Sequence, residues 1–204
     1  MKVLSIIIFK CNLKSCQENP LLLTTSYYLE SFSYFQKSTI REVCTFISRE
    51  FIKRTFSHSV INPLKHNGYI CYGKSDNNGL GITCVCDEEY PLHVASQLID
   101  KVCILFYSKF TKDNFINIKL DTQLKLPELD NLIVEAQNPS NIDKIIKIKE
   151  ELEETKTVVI EALDNLLARG ESIEDLVQRT NDLSEVSKIY LREAEKMNEC
   201  CNLL

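Results

Sequence analysis

From Ile145 to Met197 the chain carries a seam that limits what the rest of it can be. Ile145, Ile148, Leu152, Thr155, Val159, Ala162, Leu166, Arg169, Ile173, Leu176, Thr180, Leu183, Ser187, Tyr190, Ala194 and Met197 follow one another in steps that alternate three and four. Two inward positions in every seven keep one stripe of an α-helix facing a partner, which is the pattern of a coiled coil. At 1.5 Å per residue the predicted rod is about 80 Å long, too long to lie along a small domain throughout.

One inward position is charged. Arg169 stands near the middle of the seam with Gly170 directly after it, and seven inward positions precede it and eight follow. A cation in a seam costs stability unless partner side chains hydrogen-bond it, and its attested use is to fix register; the plainer alternative is that it snorkels out of an ordinary two-stranded coil. The segment ELEETKTVVIEALDNLLARGESIEDLVQRTNDLSEVSKIY, with an arginine central among fifteen other layers, closely resembles the SNARE motif of the R-SNAREs, the synaptobrevin-like fusion proteins. In that family the arginine meets three glutamines from partner helices in a parallel four-helix bundle. The resemblance implies that Arg169 is the central ionic layer, that the other seam residues are packing layers and that the partners are Q-SNAREs.

The 204 residues leave room for one independent domain ahead of the rod. Residues Asp143 to Glu199 hold 9 basic and 15 acidic side chains, so the acidity of the chain belongs to the rod's solvated faces and no basic surface is offered to nucleic acid. Nine cysteines, an odd number, do not form a secreted disulfide framework. LSIIIF near the N-terminus is cut short by Lys10 and reads as a buried strand, not a secretory signal. No apolar run approaches the roughly 18 residues that would span a bilayer, so attachment to a membrane would need another anchor.

The first half alternates sheet and helix. Strands are expected at Lys2 to Phe9, Pro20 to Tyr28, Tyr69 to Gly73 and Leu80 to Cys86, with a shorter candidate at Ser59 to Asn62. A helix is expected from Ser38, its N-cap, with Ile40, Val43, Cys44, Ile47 and Phe51 on one face. Another begins near Pro91 and buries Val94, Ala95, Leu98, Val102 and Phe106. This order predicts an α+β fold, one antiparallel sheet packed between helices. The order, with SFSYFQKS at Ser31 to Ser38 and EYPLHVASQLIDKV at Glu89 to Val102, resembles a longin domain, closest to the longin R-SNAREs that lack a transmembrane helix and are lipidated instead. The resemblance implies a profilin-like five-stranded antiparallel sheet. The expected divisions are a longin domain over 1–125, an irregular linker with at most a short helix over 126–140, the R-SNARE motif over 141–199 and a lipidated tail over 200–204.

The tail reads Cys200-Cys201-Asn202-Leu203-Leu204. Cys201 is fourth from the end, as a C-a-a-X prenylation acceptor must be, and Leu204 points to geranylgeranyl, whereas methionine is common at that place in the lipidated subtype. One prenyl chain gives only marginal attachment, and Glu185 to Glu199, with three basic and four acidic residues, supplies no basic patch as the second signal. Cys200 is then the expected palmitoylation site, in agreement with the resemblance. The chain is thus expected to meet a prenyltransferase, the palmitoylation machinery and a lipid membrane. It would cycle between the cytosol and the cytosolic faces of Golgi, ER-derived vesicle and endosomal or vacuolar membranes.

Other chemistry is thinly represented. Cys84-Val85-Cys86 lacks zinc-knuckle spacing, and alternation along a strand makes the pair buried structural thiols. No G-x-S-x-G or H-E-x-x-H is present, no cofactor is called for, and nothing here would carry the palmitoyl transfer credited to some relatives. A prenylated small GTPase is the weaker alternative, because no G-x-x-x-x-G-K-[ST] phosphate cradle can be written from the five glycines, and nucleotide binding would revive it. A plain coiled-coil tether is the closer competitor, but Ala162, Thr180, Ser187 and Ala194 are small for a tight self-dimer. They suit a helix that orders against larger partners. A lipidated rod with an exposed seam needs somewhere to put it when partners are absent. Phe46 lies roughly 100° from the centre of the Ile40–Phe51 face, so it either packs within the domain or faces outward. In the lipidated subtype the phenylalanine matching Phe46 folds the SNARE segment back onto the longin domain, and the resemblance implies that autoinhibitory contact here; Val43 stands where relatives carry a second phenylalanine.

Overall fold

The computed structural model of the chain describes residues 2–12, 19–55, 63–66, 68–143, 161–162 and 172–201. Five antiparallel strands form the sheet: β1 (Val3–Lys10), β2 (Leu21–Tyr27), β3 (Leu64–His66), β4 (Tyr69–Ser75) and β5 (Leu80–Asp87), in the order β2-β1-β5-β4-β3. The inner strand β1, between β2 and β5, is buried on both faces from Val3 to Phe9, which is why it reads as a continuous apolar run. Val3, Ile6 and Ile8 join the core on one side, Leu4, Ile7 and Phe9 the core on the other. Val3 and Ile6 share a face although three apart because the pairing with β5 slips between Val3 and Ser5. The β4–β5 hairpin turns at Asp76 to Gly79, where Gly79 has φ +86° and Asp76 Oδ1 accepts from the N–H groups of Asn78 and Leu80, both at 2.9 Å.

Helix α1 (Tyr34–Thr55) covers one face of the sheet. It sits close because two glycines lie beneath it: a Cβ on Gly73 would stand 2.4 Å from Phe51 Cε1, and one on Gly81 2.9 Å from Cys11 Sγ and 3.0 Å from Ile52 Cγ2. The helix starts four residues before Ser38, the expected cap. The Gln36 side-chain oxygen accepts from both the N–H and the hydroxyl of Ser33, at 3.1 and 2.8 Å, so Ser33-x-x-Gln36 is the start signal that periodicity alone passes over. The opposite face carries α2 (Leu92–Lys109), which begins directly after Pro91 as expected, and the short helix α3 (Lys112–Ile116) follows it.

The stretch 126–140, read from sequence as an irregular linker with room for a short helix, holds that helix, but as part of the packed body. It forms α4 (Pro127–Glu135) and the start of α5 (Pro139–Asp143), and Leu129, Ile133, Ala136 and Ile142 are buried in the α2-side core. Pro127 reads as a breaker but occupies the first helical turn, where its missing N–H costs nothing. Buried polar contacts hold the segment down: Tyr90 Oη donates to the Ala136 carbonyl at 3.0 Å, and the Gln137 amide donates to the Val3 carbonyl at 2.9 Å. The residues before it cover the outer edge of β2, with Thr122 and Leu124 N–H groups donating to Leu22 and Leu23. On the far edge, β6 (Glu161–Ala162) pairs parallel with Leu64 and Lys65 of β3. The candidate strand Ser59 to Asn62 lies outside the described residues. Cys84 and Cys86 are fully buried on one face of β5 with their sulfurs 3.1 Å apart, and burial pushes the Cys86 thiol well above its ordinary range.

Candidate functional site

In the chain alone the described part of the seam is not one rod. It forms α6 (Ile173–Arg179) and α7 (Glu185–Cys201), separated by a non-helical stretch, 180–184; α7 lies against α1, and α6 packs on α7 and in the same apolar cluster on that side of the sheet. Local signals account for the division. Ser172 caps α6 by accepting from the Asp175 N–H at 3.1 Å, with Glu174 and Asp175 in the positive first turn. Thr180 ends it in an extended conformation, ψ 144°. Ser184 then opens α7, its carbonyl accepting from the Lys188 N–H at 2.9 Å.

Ile173, Leu176, Leu183 and Ser187 are buried, Thr180 and Ala194 are half-buried, and Tyr190 is exposed. Val177 and Leu191, neither of them on the seam, are buried almost completely. The docked surface is therefore turned from the coiled-coil stripe by about one residue, and an apolar residue directly following a seam position was its only trace in the sequence. Phe46, 1% exposed, belongs to the same apolar cluster as Ile173, Leu176, Val177, Leu183 and Leu191, together with Val43, Ile47 and Phe51 of α1. Ile145, Ile148, Leu152, Thr155, Val159, Leu166 and Arg169 lie outside the described residues, as do the side chains of Ala162, Met197, Cys200 and Cys201.

Two polar contacts flank the apolar cluster, and neither was foreseen. Glu42 Oε2 accepts from the Ser184 N–H at 2.8 Å and the Ser187 hydroxyl at 2.7 Å, placing a carboxylate at the positive end of α7. Burial would raise the Glu42 carboxyl, but these hydrogen bonds outweigh it and hold the group below its ordinary value. Arg49 is buried between two carboxylates: Nη2 lies 2.6 Å from Asp121 Oδ2 and Nε 2.7 Å from Asp182 Oδ2, while Nη1 donates to the Pro20 carbonyl. The guanidinium lowers both acids, but their net shifts differ. Both are pushed up by burial, yet Asp121, which also accepts from the Leu22 N–H, ends below its ordinary value and Asp182 ends above. The cleft beside them, about 640 Å³, is lined by the cations Arg49, Lys53 and Arg179 and the carboxylates Glu50, Asp121 and Asp182, so its named charges balance.

A domain of this topology with a heptad segment folded onto its outer helix defines a class, and comparison with known families places the chain in it. The regulated-SNARE-like longin domain model matches residues 29–133 and the synaptobrevin model residues 144–202. The chain belongs to the longin-domain, synaptobrevin-like R-SNAREs, a non-enzymatic family of vesicle traffic. It is 36% identical to a putative synaptobrevin homolog YKT6 of Dictyostelium discoideum over 98% of both chains. It is 33% identical to the synaptobrevin homolog ykt6 of Schizosaccharomyces pombe over 98% of both, and 31% identical to the VAMP-like protein YKT61 of Arabidopsis thaliana over the full length of both. Among the described residues no helix is long and apolar enough to cross a membrane.

Proposed function

We propose that this chain is an R-SNARE that drives vesicle docking and membrane fusion by contributing residues 145–197 as one helix of a parallel four-helix bundle. Arg169 supplies the central ionic layer against three glutamines of partner Q-SNAREs. Ile145, Ile148, Leu152, Thr155, Val159, Ala162, Leu166, Ile173, Leu176, Thr180, Leu183, Ser187, Tyr190, Ala194 and Met197 supply the packing layers. Zippering from Ile145 toward Met197 draws two bilayers together, and its free energy comes from burying apolar layers as helix forms. Attachment runs through a prenyl group on Cys201 and a reversible palmitoyl group on Cys200, in transport between ER, Golgi and endosomal or vacuolar membranes. The SNARE segment is held closed by the longin domain until partners arrive.

The observation that carries this reading is that Ile173, Leu176, Leu183 and Ser187, four layers that a bundle would need, are already buried, the first three in the cluster that holds Phe46 and Ser187 on Glu42 of α1. One set of residues cannot pack on Phe46 and its neighbours and on three partner helices at once. The test is hydrogen exchange with Phe46→Glu, which puts a carboxylate into that cluster. Amides of 145–197 are expected to exchange faster while β1, β5 and α2 keep their protection. Unchanged exchange in 145–197, or loss of protection in the sheet instead, would make Phe46 a core residue with no part in closure.

A further inference from the structure

We infer that Arg49 is a charge clamp that fixes the interruption between α6 and α7 on the domain, so that the C-terminal layers cannot become continuous helix until Asp182 leaves it. This rests on the closed state proposed above and supplies its point of control.

A guanidinium stays charged at any accessible pH, so burying one requires acceptors around its whole rim. The side chain of Arg49 is 7% exposed. The domain supplies acceptors for one edge, Asp121 and the Pro20 carbonyl, and these hold the group in place whether or not the C-terminal segment is docked. The remaining edge, Nε, faces Asp182 at 2.7 Å. At that distance the carboxylate neutralises the buried edge of the guanidinium. Asp182 reaches it from a stretch that is not helical, two residues after Thr180, whose extended backbone ends α6. In a bundle Thr180 is a layer and its ψ must turn helical. The clamp and the continuous helix are therefore exclusive conformations of the same residues. Leu176 and Val177 before the interruption and Leu183 after it are buried in the apolar cluster that α1 and the sheet form, so the ion pair is flanked by buried anchors on both sides.

Burial and the neighbouring Asp121 charge raise the Asp182 carboxyl although Arg49 lowers it, while against burial the two carboxylates hold the Arg49 guanidinium above its ordinary value; a buried pair of this kind carries a desolvation cost and fixes a geometry. A pair of that kind has a signature: losing one partner is costly because the other stays buried, and losing both is cheaper than the two single losses together.

Hydrogen exchange of the full chain, read at residues 173–191 with β1, β5 and α2 as internal controls, measures this for Asp182→Asn, Arg49→Gln and the double variant. Asp182→Asn is expected to speed exchange across 173–191 by about tenfold and leave the controls unchanged. Arg49→Gln is expected to do the same, and the double variant to exchange no faster than the faster single. Should Arg49→Gln also loosen β2 through Asp121, Asp182→Asn decides alone. If Asp182→Asn exchanges like the wild type while Phe46→Glu opens the segment, the clamp is wrong and closure stands. If neither variant changes 173–191, closure itself is wrong and the clamp with it. Strictly additive effects of Arg49→Gln and Asp182→Asn would also overturn the clamp.

Discussion

At Gly73 a side chain is excluded by Phe51, which crosses above it with its ring edge 2.4 Å from where a Cβ would lie. Gly73 is in a strand, where glycine ordinarily weakens the structure, so its presence marks the close approach of α1. Gly73→Ala forces α1 outward or Phe51 off its rotamer and is expected to cost about 1–3 kcal/mol. In a calorimetric scan that is a fall of roughly 3–10 °C in Tm. An unchanged Tm would show that α1 is less tightly seated than the geometry indicates. Phe46 illustrates the opposite limit of reading single residues. Its helical angle put it off the main apolar face, and the angle was consistent with either a domain contact or an outward one. In the structure it is fully buried in a cluster to which the sheet, α1 and the C-terminal helices all contribute. The cluster spans residues more than a hundred positions apart, which no local periodicity reports.

Elements divide into those whose ends are written locally and those whose company decides them. β1 and β5 fell where apolar, β-rich runs bounded by turn signals put them, and α2 where Pro91 and its helical period put it, because those signals are written along the element's own sequence. α4 could not be read in that way: its nine residues are too few for a firm period, and Pro127 and Asn138-Pro139 outweigh them as turn signals. Its helical state comes from Leu129 and Ile133 meeting the sheet. The seam is the strongest case. Its 3.5-residue period states a helix for an assembly, whereas the lone chain shows a two-residue strand and two helices where the segment is described. A test at this scale sets Arg169 against its neighbours in bundle assembly with partner glutamine helices. Arg169→Leu is expected to assemble with looser register, while Ala162→Asp or Leu166→Asp blocks assembly because a lone carboxylate is buried without a partner. Size-exclusion and melting of the complexes read both. If Arg169→Leu behaves like the solvent-face change Glu174→Ala, Arg169 has no special layer.

For the molecule as a whole, the lipid anchor is the open quantity. Cys201→Ser is expected to leave the protein off membranes altogether, because in the proposed anchor acylation of Cys200 follows membrane contact made by the prenyl group. Cys200→Ser should leave weak attachment that washing removes. Flotation of cell membranes separates the outcomes, and a Cys201→Ser protein that floats as strongly as wild type would end the prenyl reading. What the sequence determined by itself is the class of the molecule: an α+β domain followed by a heptad segment with one central arginine. Those properties follow from repeats and spacings that act along the chain. What only the tertiary structure decided is where the segment rests and what holds it there. Val177, Leu191, Glu42, Arg49, Asp121 and Asp182 are unremarkable in their own neighbourhoods, and they acquire a role because folding brings α1, the strap over β2 and the α6–α7 junction to one place. A buried charge or an off-seam apolar residue takes its meaning from the partner across the interface, and that partner lies too far along the chain for any sequence period to name.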